Sequence, residues 1–321
     1  MKALLYDKYG SPDVLEIREV ANPVPKKNEV LIKVHAVSIN DWDWGLLQGE
    51  GVNRLIGGLF GPRKILGSDV AGRVENAGQE VTRFEPGDAV YGDLSGAGFG
   101  GFAEYVCAPE NALVLKPERM TFEQASAIPQ AGMLALYGIL AGGPLRAGQT
   151  ILINGAGGGV GTFAIQLAKL QDVKVTGVDS AAKLELLRSL GFDHVIDYER
   201  EDFTKSGKRY DLILDPKTNR SPFEYLRALN PGGLYATVGG PSHLLQTALI
   251  GTWMARLNGK RMRLVMLRPN RDLPYLNELF EAGKFVPVID GPYRFSESRE
   301  AFRHFAAAKH KGKIVVTIGE G

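Results

Sequence analysis

Cysteine is almost absent from this sequence. Cys107 is the only one among 321 residues, so the chain can form neither an intrachain disulfide nor a zinc site built on several thiolates. An excess of charge is missing as well, because 38 Lys and Arg stand against 36 Asp and Glu, for a net charge of +2. This balance gives no electrostatic reason to expect a protein specialised for nucleic acids or membrane surfaces.

Long apolar runs suited to a signal or an anchor are also lacking. Residues 1–7 contain only a short apolar run, too short for a secretory signal, and we therefore expect a cytoplasmic protein. Three stretches, 124–145, 147–168 and 234–255, lack charged residues over a membrane-spanning length, but prolines or glycines interrupt each of them. We interpret all three as buried core and expect no membrane span.

Glycine, by contrast, is abundant, with 40 of 321 residues, or about 12% against a usual value of about 7%. The first 120 residues favour strands separated by tight turns. Thr121 and Gln124 then form a capping-box pattern that begins a helix. From there, short apolar segments such as Thr150–Asn154 alternate with helical ones, which predicts βαβ units around a parallel sheet.

The most informative segment is a glycine-rich loop at 154–161. Its spacing is Ala156-x-Gly158-x-x-Gly161, with a predicted strand before it and a predicted helix after it. A second predicted strand ends at Asp179, about twenty residues beyond the loop. Small residues let a pyrophosphate approach backbone N–H groups at a helix N-terminus, and the later polar residue contacts the adenosine ribose. The sequence therefore predicts a dinucleotide site.

The choice between NAD(H) and NADP(H) stays open on these residues. The Asp179 carboxylate would accept hydrogen bonds from a ribose diol and repel a 2′-phosphate, which favours NAD(H). Ser180 and Lys183 offer a hydroxyl and a cation suited to that phosphate, which favours NADP(H).

Several motifs together resemble one family over almost the whole chain. They are Val37–Asn40, Gly67–Gly72, Pro86–Gly92, Asn154–Gly161, Arg188–Gly191, Val195–Tyr198 and Gly283–Val288. The sequence resembles the medium-chain dehydrogenase/reductase superfamily, in its zinc-independent quinone oxidoreductase branch. The resemblance implies an α/β fold in which a Rossmann domain with a doubly wound parallel sheet, 122–265, is inserted in a GroES-like, mostly β catalytic domain, 1–121 plus 266–321. It also implies a homodimer.

The same resemblance implies that no metal is bound. Zinc alcohol dehydrogenases of this superfamily hold a catalytic zinc on Cys, His and Cys, and the corresponding places here carry Asn40, Ser68 and Gln130. None of these three is a good zinc ligand. Without a metal to polarise an alkoxide, alcohol oxidation is not the expected activity.

The resemblance implies an NADP(H)-preferring reductase that transfers hydride to a quinone or an α,β-unsaturated carbonyl. Asn40 is expected to contact the nicotinamide ribose or the acceptor carbonyl, and Trp44 to line the acceptor pocket or merely cover the core. Lys183 and Tyr198 stand where NADPH-using members bind the 2′-phosphate, so NADP(H) is favoured. The expected cofactor-binding residues are Asn40, Ala156, Gly157, Gly158, Gly159, Val160, Asp179, Ser180, Lys183, Tyr198, Val238, Gly239 and Gly240.

Other interpretations stay open. One is a metal-free carbonyl reductase or alcohol dehydrogenase, and another is a dinucleotide-binding protein with an RNA- or membrane-associated role. The neutral charge argues against nucleic acid as a partner. Residues 46–64 could form a lid over the acceptor site or an exposed loop. The lysines at 309, 311 and 313 could reach the cofactor phosphate, but we interpret them as a solvated charge run.

Overall fold

The structure is a computed structural model that describes residues 1–49, 54, 65–239 and 251–319. The chain divides into two compact units. The first comprises Met1–Gln130, Arg268–Ala282 and Ile289–Gly321, and the second Ala131–Leu267 and Gly283–Val288. The sequence-derived domain limits at 121 and 266 remain predictions.

The described strands are, in chain order, β1 (Lys2–Leu5), β2 (Glu16–Glu19), β3 (Glu29–Ser38), β4 (Asp69–Ala77), β5 (Ala89–Asp93), β6 (Tyr105–Pro109), β7 (Val114–Leu115), β8 (Thr150–Asn154), β9 (Lys174–Asp179), β10 (His194–Asp197), β11 (Tyr210–Asp215), β12 (Leu229–Thr237), β13 (Arg261–Leu264), β14 (Ile289–Arg294) and β15 (Lys313–Thr317). The described α-helices are Asp41–Gln48, Phe122–Ala127, Pro129–Ile139, Gly159–Ala168, Leu184–Ser189, Pro222–Arg227, Thr252–Leu257, Leu273–Glu281 and Ser298–Ala306. Short 3₁₀ helices are Pro12–Val14, Glu110–Ala112, Ala181–Lys183 and Phe295–Glu297.

The first unit is built on a seven-stranded sheet. Its strand order is β14-β15-β3-β4-β5-β7, and β6 also pairs with β3. Every pair is antiparallel except β14 with β15. Along β3, Val30, Ile32 and Val34 are buried while Lys33 is exposed, as expected for a strand with one face on a core. A separate antiparallel pair joins β1 to β2.

The second unit is built on a six-stranded sheet of the order β10-β9-β8-β11-β12-β13, and every pair in it is parallel. The strand order reverses at β8, because the chain runs outward from β8 to β10 on one side and from β11 to β13 on the other. Ligands of such sheets bind at the carboxyl ends of the strands beside this reversal. The parallel sheet confirms that part of the sequence prediction.

Apolar side chains fill the interior of both units. In the second unit Leu152, Val178 and Ile213 belong to one buried cluster, and the Phe163 and Phe285 rings stack with centroids 4.5 Å apart. Within the described ranges, the structure contains no helix with the length and apolar character needed to cross a bilayer.

Candidate active site

The glycine-rich loop follows β8 at the carboxyl edge of the parallel sheet. The N–H groups of Gly155 and Ala156 both donate to the Val178 carbonyl, at 2.9 and 3.1 Å, which ties the loop to β9. A Cβ on Gly161 would lie 2.4 Å from the Ala156 carbonyl oxygen, so only glycine allows the helix Gly159–Ala168 to approach this closely. The last glycine of the Ala156-x-Gly158-x-x-Gly161 pattern is thus required for the helix to pack against the loop.

The next residues of the loop form a cradle with open space beside it. A Cβ on Gly158 would meet nothing closer than the Gly155 carbonyl oxygen at 3.6 Å. Gly158, Gly159 and Val160 are partly exposed, and the N–H groups of the first helical turn have no acceptor within the helix. A pyrophosphate fits this combination of free N–H donors, positive helix end and missing side chain.

Asp179 lies against the same loop and is buried. Its Oδ2 accepts the Gly157 N–H at 2.8 Å, and its Oδ1 accepts the Ser180 N–H at 2.9 Å. Lys183, only 4% exposed, places Nζ 3.6 Å from Asp179 Oδ1. The negative charge of Asp179 is therefore compensated by the Lys183 ammonium.

Two further predicted residues stand beside this pair. Ser180 is partly exposed and directly precedes the 3₁₀ helix Ala181–Lys183. The Tyr198 N–H donates to the Asp179 carbonyl at 3.2 Å, and the Tyr198 side chain is 51% exposed. The structure thus brings Asp179, Ser180, Lys183 and Tyr198 together at the ends of β9 and β10.

The predicted nicotinamide loop follows β12. The Val238 N–H donates to the Asp215 carbonyl at 3.3 Å, which ties the loop to the end of β11. The Thr237 hydroxyl donates to the Gly239 carbonyl at 2.9 Å, and the Thr218 hydroxyl donates to the same oxygen. Gly240, the third residue expected here, lies outside the described residues.

Lys217 is a loop neighbour that sequence reasoning did not assign. A Cβ on Gly155 would lie 2.9 Å from Lys217 Cε, so the aliphatic stem of this exposed lysine covers the start of the glycine loop. Asp215 fixes the turn by accepting the Lys217 N–H at 2.8 Å and the Asn154 amide at 2.9 Å. The available signal was a lysine two residues after the apolar strand that ends at Asp215.

In the first unit, the three residues at the places of the zinc ligands come together. Ser68 Oγ accepts from Asn40 Nδ2 at 3.2 Å and from Gln130 Nε2 at 2.8 Å. Gln130 Nε2 also lies 3.3 Å from Asp93 Oδ1. All three side chains are buried, and their polar groups bond to one another.

Lys313 completes this buried cluster, and here the interpretation as a solvated charge run is wrong. Its side chain is 4% exposed, and Nζ donates to the Ile39 carbonyl at 3.0 Å and to Asn40 Oδ1. Lys309 and Lys311 are exposed, as expected. Lys313 differs because it opens β15, which lies between β14 and β3 inside the sheet.

Four carboxyl groups, those of Asp41, Asp43, Asp69 and Asp93, stabilise the charge of the Lys313 ammonium. Burial raises the pKa of Asp43 to about 6, partly opposed by the Gly67 and Asn40 N–H groups that its oxygens accept. Burial also raises the pKa values of Asp69 and Asp93 and lowers that of Lys313. Lys313 Nζ lies 3.8 Å from Asp69 Oδ2. Asp69 Oδ1 and Asp93 Oδ2 accept no hydrogen bond from the described residues.

Trp44, predicted to line the acceptor pocket, is half-buried in the helix Asp41–Gln48. It packs against the core of the first unit, with its ring centroid 6.4 Å from that of Phe305. This contact explains its burial, and its role toward an acceptor stays a prediction. The possible lid at 46–64 lies mostly outside the described residues.

Among the described residues, no group of three or more His, Cys, Asp or Glu side chains is arranged to hold a metal ion. The expectation that the protein works without zinc remains a prediction.

Comparisons with known proteins agree with this architecture. The family profile for an alcohol dehydrogenase GroES-like domain matches residues 26–118, and the profile described as zinc-binding dehydrogenase matches 190–316. The chain is 36% identical to the chloroplastic quinone-oxidoreductase QR1 of Triphysaria versicolor, covering 98% of each protein. It is 33% identical to the chloroplastic NADPH-dependent alkenal/one oxidoreductase of Arabidopsis thaliana, covering 98% of this chain and 79% of the relative.

A solved structure shows the same fold. The quinone oxidoreductase from Coxiella burnetii superposes with a TM-score of 0.89 at 31% identity, over 99% of both chains. The chain therefore belongs to the medium-chain dehydrogenase/reductase superfamily, in its quinone oxidoreductase branch. The predicted α/β fold, with a GroES-like domain and a Rossmann sheet, is confirmed.

Proposed function

We propose that the protein is an NADPH-dependent oxidoreductase that transfers hydride to a quinone or to an α,β-unsaturated carbonyl. The observation that carries this proposal is the glycine cradle at Gly158, open beside the first turn of a helix at the strand-order reversal. Relatives named quinone oxidoreductase and alkenal/one oxidoreductase support the choice of acceptor. The bound nicotinamide supplies the hydride.

In this proposal, the residues of this chain bind the cofactor and orient it and the acceptor. The N–H groups of Gly159 and Val160 hold the pyrophosphate, and Val238 and Gly239 approach the nicotinamide carboxamide. Asn40 contacts the nicotinamide ribose or the acceptor carbonyl, and Trp44 lines the acceptor pocket. Hydride transfer of this kind needs positioning more than acid–base groups, which suits a site made largely of backbone donors and one amide.

We assign NADP(H) as the preferred cofactor. Asp179 would repel a 2′-phosphate if its charge stood alone, but Lys183 lies 3.6 Å from its Oδ1 and two backbone N–H groups bind it. With that charge balanced, the Ser180 hydroxyl and the exposed Tyr198 hydroxyl add neutral donors. A relative named as NADPH-dependent supports the assignment.

Lys183→Met tests the cofactor assignment. Lys183→Met leaves the Asp179 charge without its cation beside the 2′-phosphate, and we expect this to weaken NADPH binding by about 1.5–3 kcal/mol, or about ten- to a hundredfold. NADH binding changes by no more than about threefold, because NADH has no 2′-phosphate. Fluorescence titration of both cofactors measures this, with Lys169→Met as the control because Lys169 forms an exposed ion pair with Asp193 at 2.7 Å. Tighter NADH binding in the wild type, with no effect of Lys183→Met, contradicts the assignment.

We further propose that the reaction needs no zinc. Asn40, Ser68 and Gln130 direct their polar groups at one another, and Lys313 supplies the positive charge beside them. Turnover with a small quinone and with an enone, measured as NADPH consumption, continues after dialysis against a chelator. Turnover with a simple aldehyde or alcohol alone, or turnover that requires added zinc, would favour a carbonyl reductase or alcohol dehydrogenase instead.

A homodimer forms part of the proposal. Within the described residues, β13 pairs only with β12 and ends the parallel sheet. Beside it Trp253, Leu257 and Met266 are 62–69% exposed. A second copy covers this apolar edge. A cytoplasmic location is proposed too, although the two named relatives are chloroplastic.

A further inference from the structure

The ammonium of Lys313 is buried because Lys313 opens β15 inside the sheet. Taking a lysine charge out of water is unfavourable unless partners compensate for it. Lys313 finds the Ile39 carbonyl at 3.0 Å, Asn40 Oδ1 and, at 3.8 Å, Asp69 Oδ2. Two of these three partners, Asn40 Oδ1 and Asp69 Oδ2, are side-chain atoms.

These contacts leave only one orientation for the Asn40 amide. An ammonium can donate hydrogen bonds but cannot accept them, so the atom facing Lys313 must be Oδ1. Nδ2 then faces Ser68 Oγ, 3.2 Å away. Ser68 Oγ also accepts from Gln130 Nε2 at 2.8 Å, so the two amides fill both of its lone pairs. The Asn40 side chain also helps to lower the pKa of Asp69, so its amide lies beside that carboxyl as well.

We propose that Lys313 is a positioning residue for hydride transfer. It fixes the Asn40 amide so that Nδ2–H, and never Oδ1, is presented to an oxygen of the nicotinamide ribose or of the acceptor carbonyl. Its charge also lies beside the three residues at the places where metal-dependent members of the superfamily hold zinc. The inference rests on the proposed function, because it gives Asn40 a contact to cofactor or acceptor.

The first test is kinetic and uses Lys313→Met, which keeps the apolar stem and removes the donor. We expect kcat with a quinone or enone to fall by about ten- to a hundredfold, as for a misplaced orienting group, while KM for NADPH changes by less than about threefold. In an Asn40→Ser background the same change produces no further loss of kcat, because Lys313 acts through the amide. If Lys313→Met and Asn40→Ser together reduce kcat by the product of their separate effects, or if Lys313→Met leaves kcat unchanged, the proposal is overturned.

A matched control separates positioning from simple structural support. Lys116 lies in the same unit, and its Nζ likewise donates to backbone carbonyls, those of Pro117 and Met120, without touching Asn40. Lys116→Met therefore leaves kcat unchanged. If Lys313→Met alone fails to fold, because Asp69 is left buried without its cation, Lys313→Met with Asp69→Asn removes both charges and receives the same kinetic test.

A second measurement does not depend on turnover. In the free protein, the Asn40 side-chain amide gives an NMR signal pair, assigned by its loss in Asn40→Ser, that exchanges slowly with solvent. Lys313→Met accelerates this exchange about tenfold or more, whereas Lys116→Met does not. Unchanged exchange in Lys313→Met refutes the positioning role even if the enzyme turns over. Fast exchange in Lys313→Met in a protein that oxidises no NADPH supports the fixed amide and refutes only the proposed function.

Discussion

Substitution of Gly158 distinguishes an effect on folding stability from an effect on pyrophosphate binding. Its backbone has φ −86°, which any residue adopts, and an added Cβ would meet nothing of the protein closer than 3.6 Å. As the residue before the helix Gly159–Ala168, alanine is a poorer cap than glycine, by about 1 kcal/mol or less. Gly158→Ala should therefore lower Tm by no more than about 4 °C.

The effect on the ligand should be much larger. The added methyl group lies where the pyrophosphate would approach the first-turn N–H groups, so those hydrogen bonds must lengthen or break. Loss of one hydrogen bond to a charged group costs about 1.5–3 kcal/mol, or about ten- to a hundredfold in Kd. Because NADH and NADPH share the pyrophosphate, both should lose affinity equally.

The assay compares thermal unfolding with cofactor titration for Gly158→Ala and Gly161→Ala. At Gly161 the added Cβ meets backbone of Ala156 at 2.4 Å, which should destabilise the fold itself by about 1–3 kcal/mol. A Gly158→Ala protein that is stable but binds both dinucleotides with unchanged Kd would refute the assignment of this cradle to the pyrophosphate.

Two further predictions concern the pH dependence and the assembly. The pKa of Asp43 rises from 3.8 to about 6 on folding, so the folded state holds its proton more tightly, and stability falls as pH rises from about 4 to 6, by about 3 kcal/mol for this group. Asp43→Asn should flatten that part of the urea-unfolding profile, and an unchanged slope would contradict the assignment. Trp253→Glu should convert a dimer of 34.9 kDa chains to monomers in light scattering, whereas Val24→Glu, at an even more exposed apolar position, should not; a wild type that is already monomeric contradicts the dimer.

The second unit was largely predictable because its signals are local. The strand Thr150–Asn154 was predicted with the observed limits, and the helix predicted after the glycine loop is the observed Gly159–Ala168. Short apolar strands, capping residues and a glycine loop are all read within a window of about twenty residues. The position of Asp179 beside the loop followed from the same pattern.

The cluster in the first unit was not predictable, because its members are far apart in sequence. Asn40 and Lys313 meet only because β15 pairs with β3, a contact that local periodicity does not encode. Lys313 follows Lys309 and Lys311 closely, and such spacing is typical of a solvated surface. The available signal was the apolar strand that begins at Lys313 and is buried along most of its length.

The most direct test of the proposed function follows the hydride itself. NADPH carrying deuterium at the nicotinamide C4 position is incubated with the protein and an α,β-unsaturated ketone, and the product is examined by mass spectrometry and NMR. We predict one deuterium at the β-carbon of the saturated ketone, in step with NADPH consumption. Deuterium at the carbonyl carbon, or NADPH left unconsumed with both enone and quinone, would contradict the account.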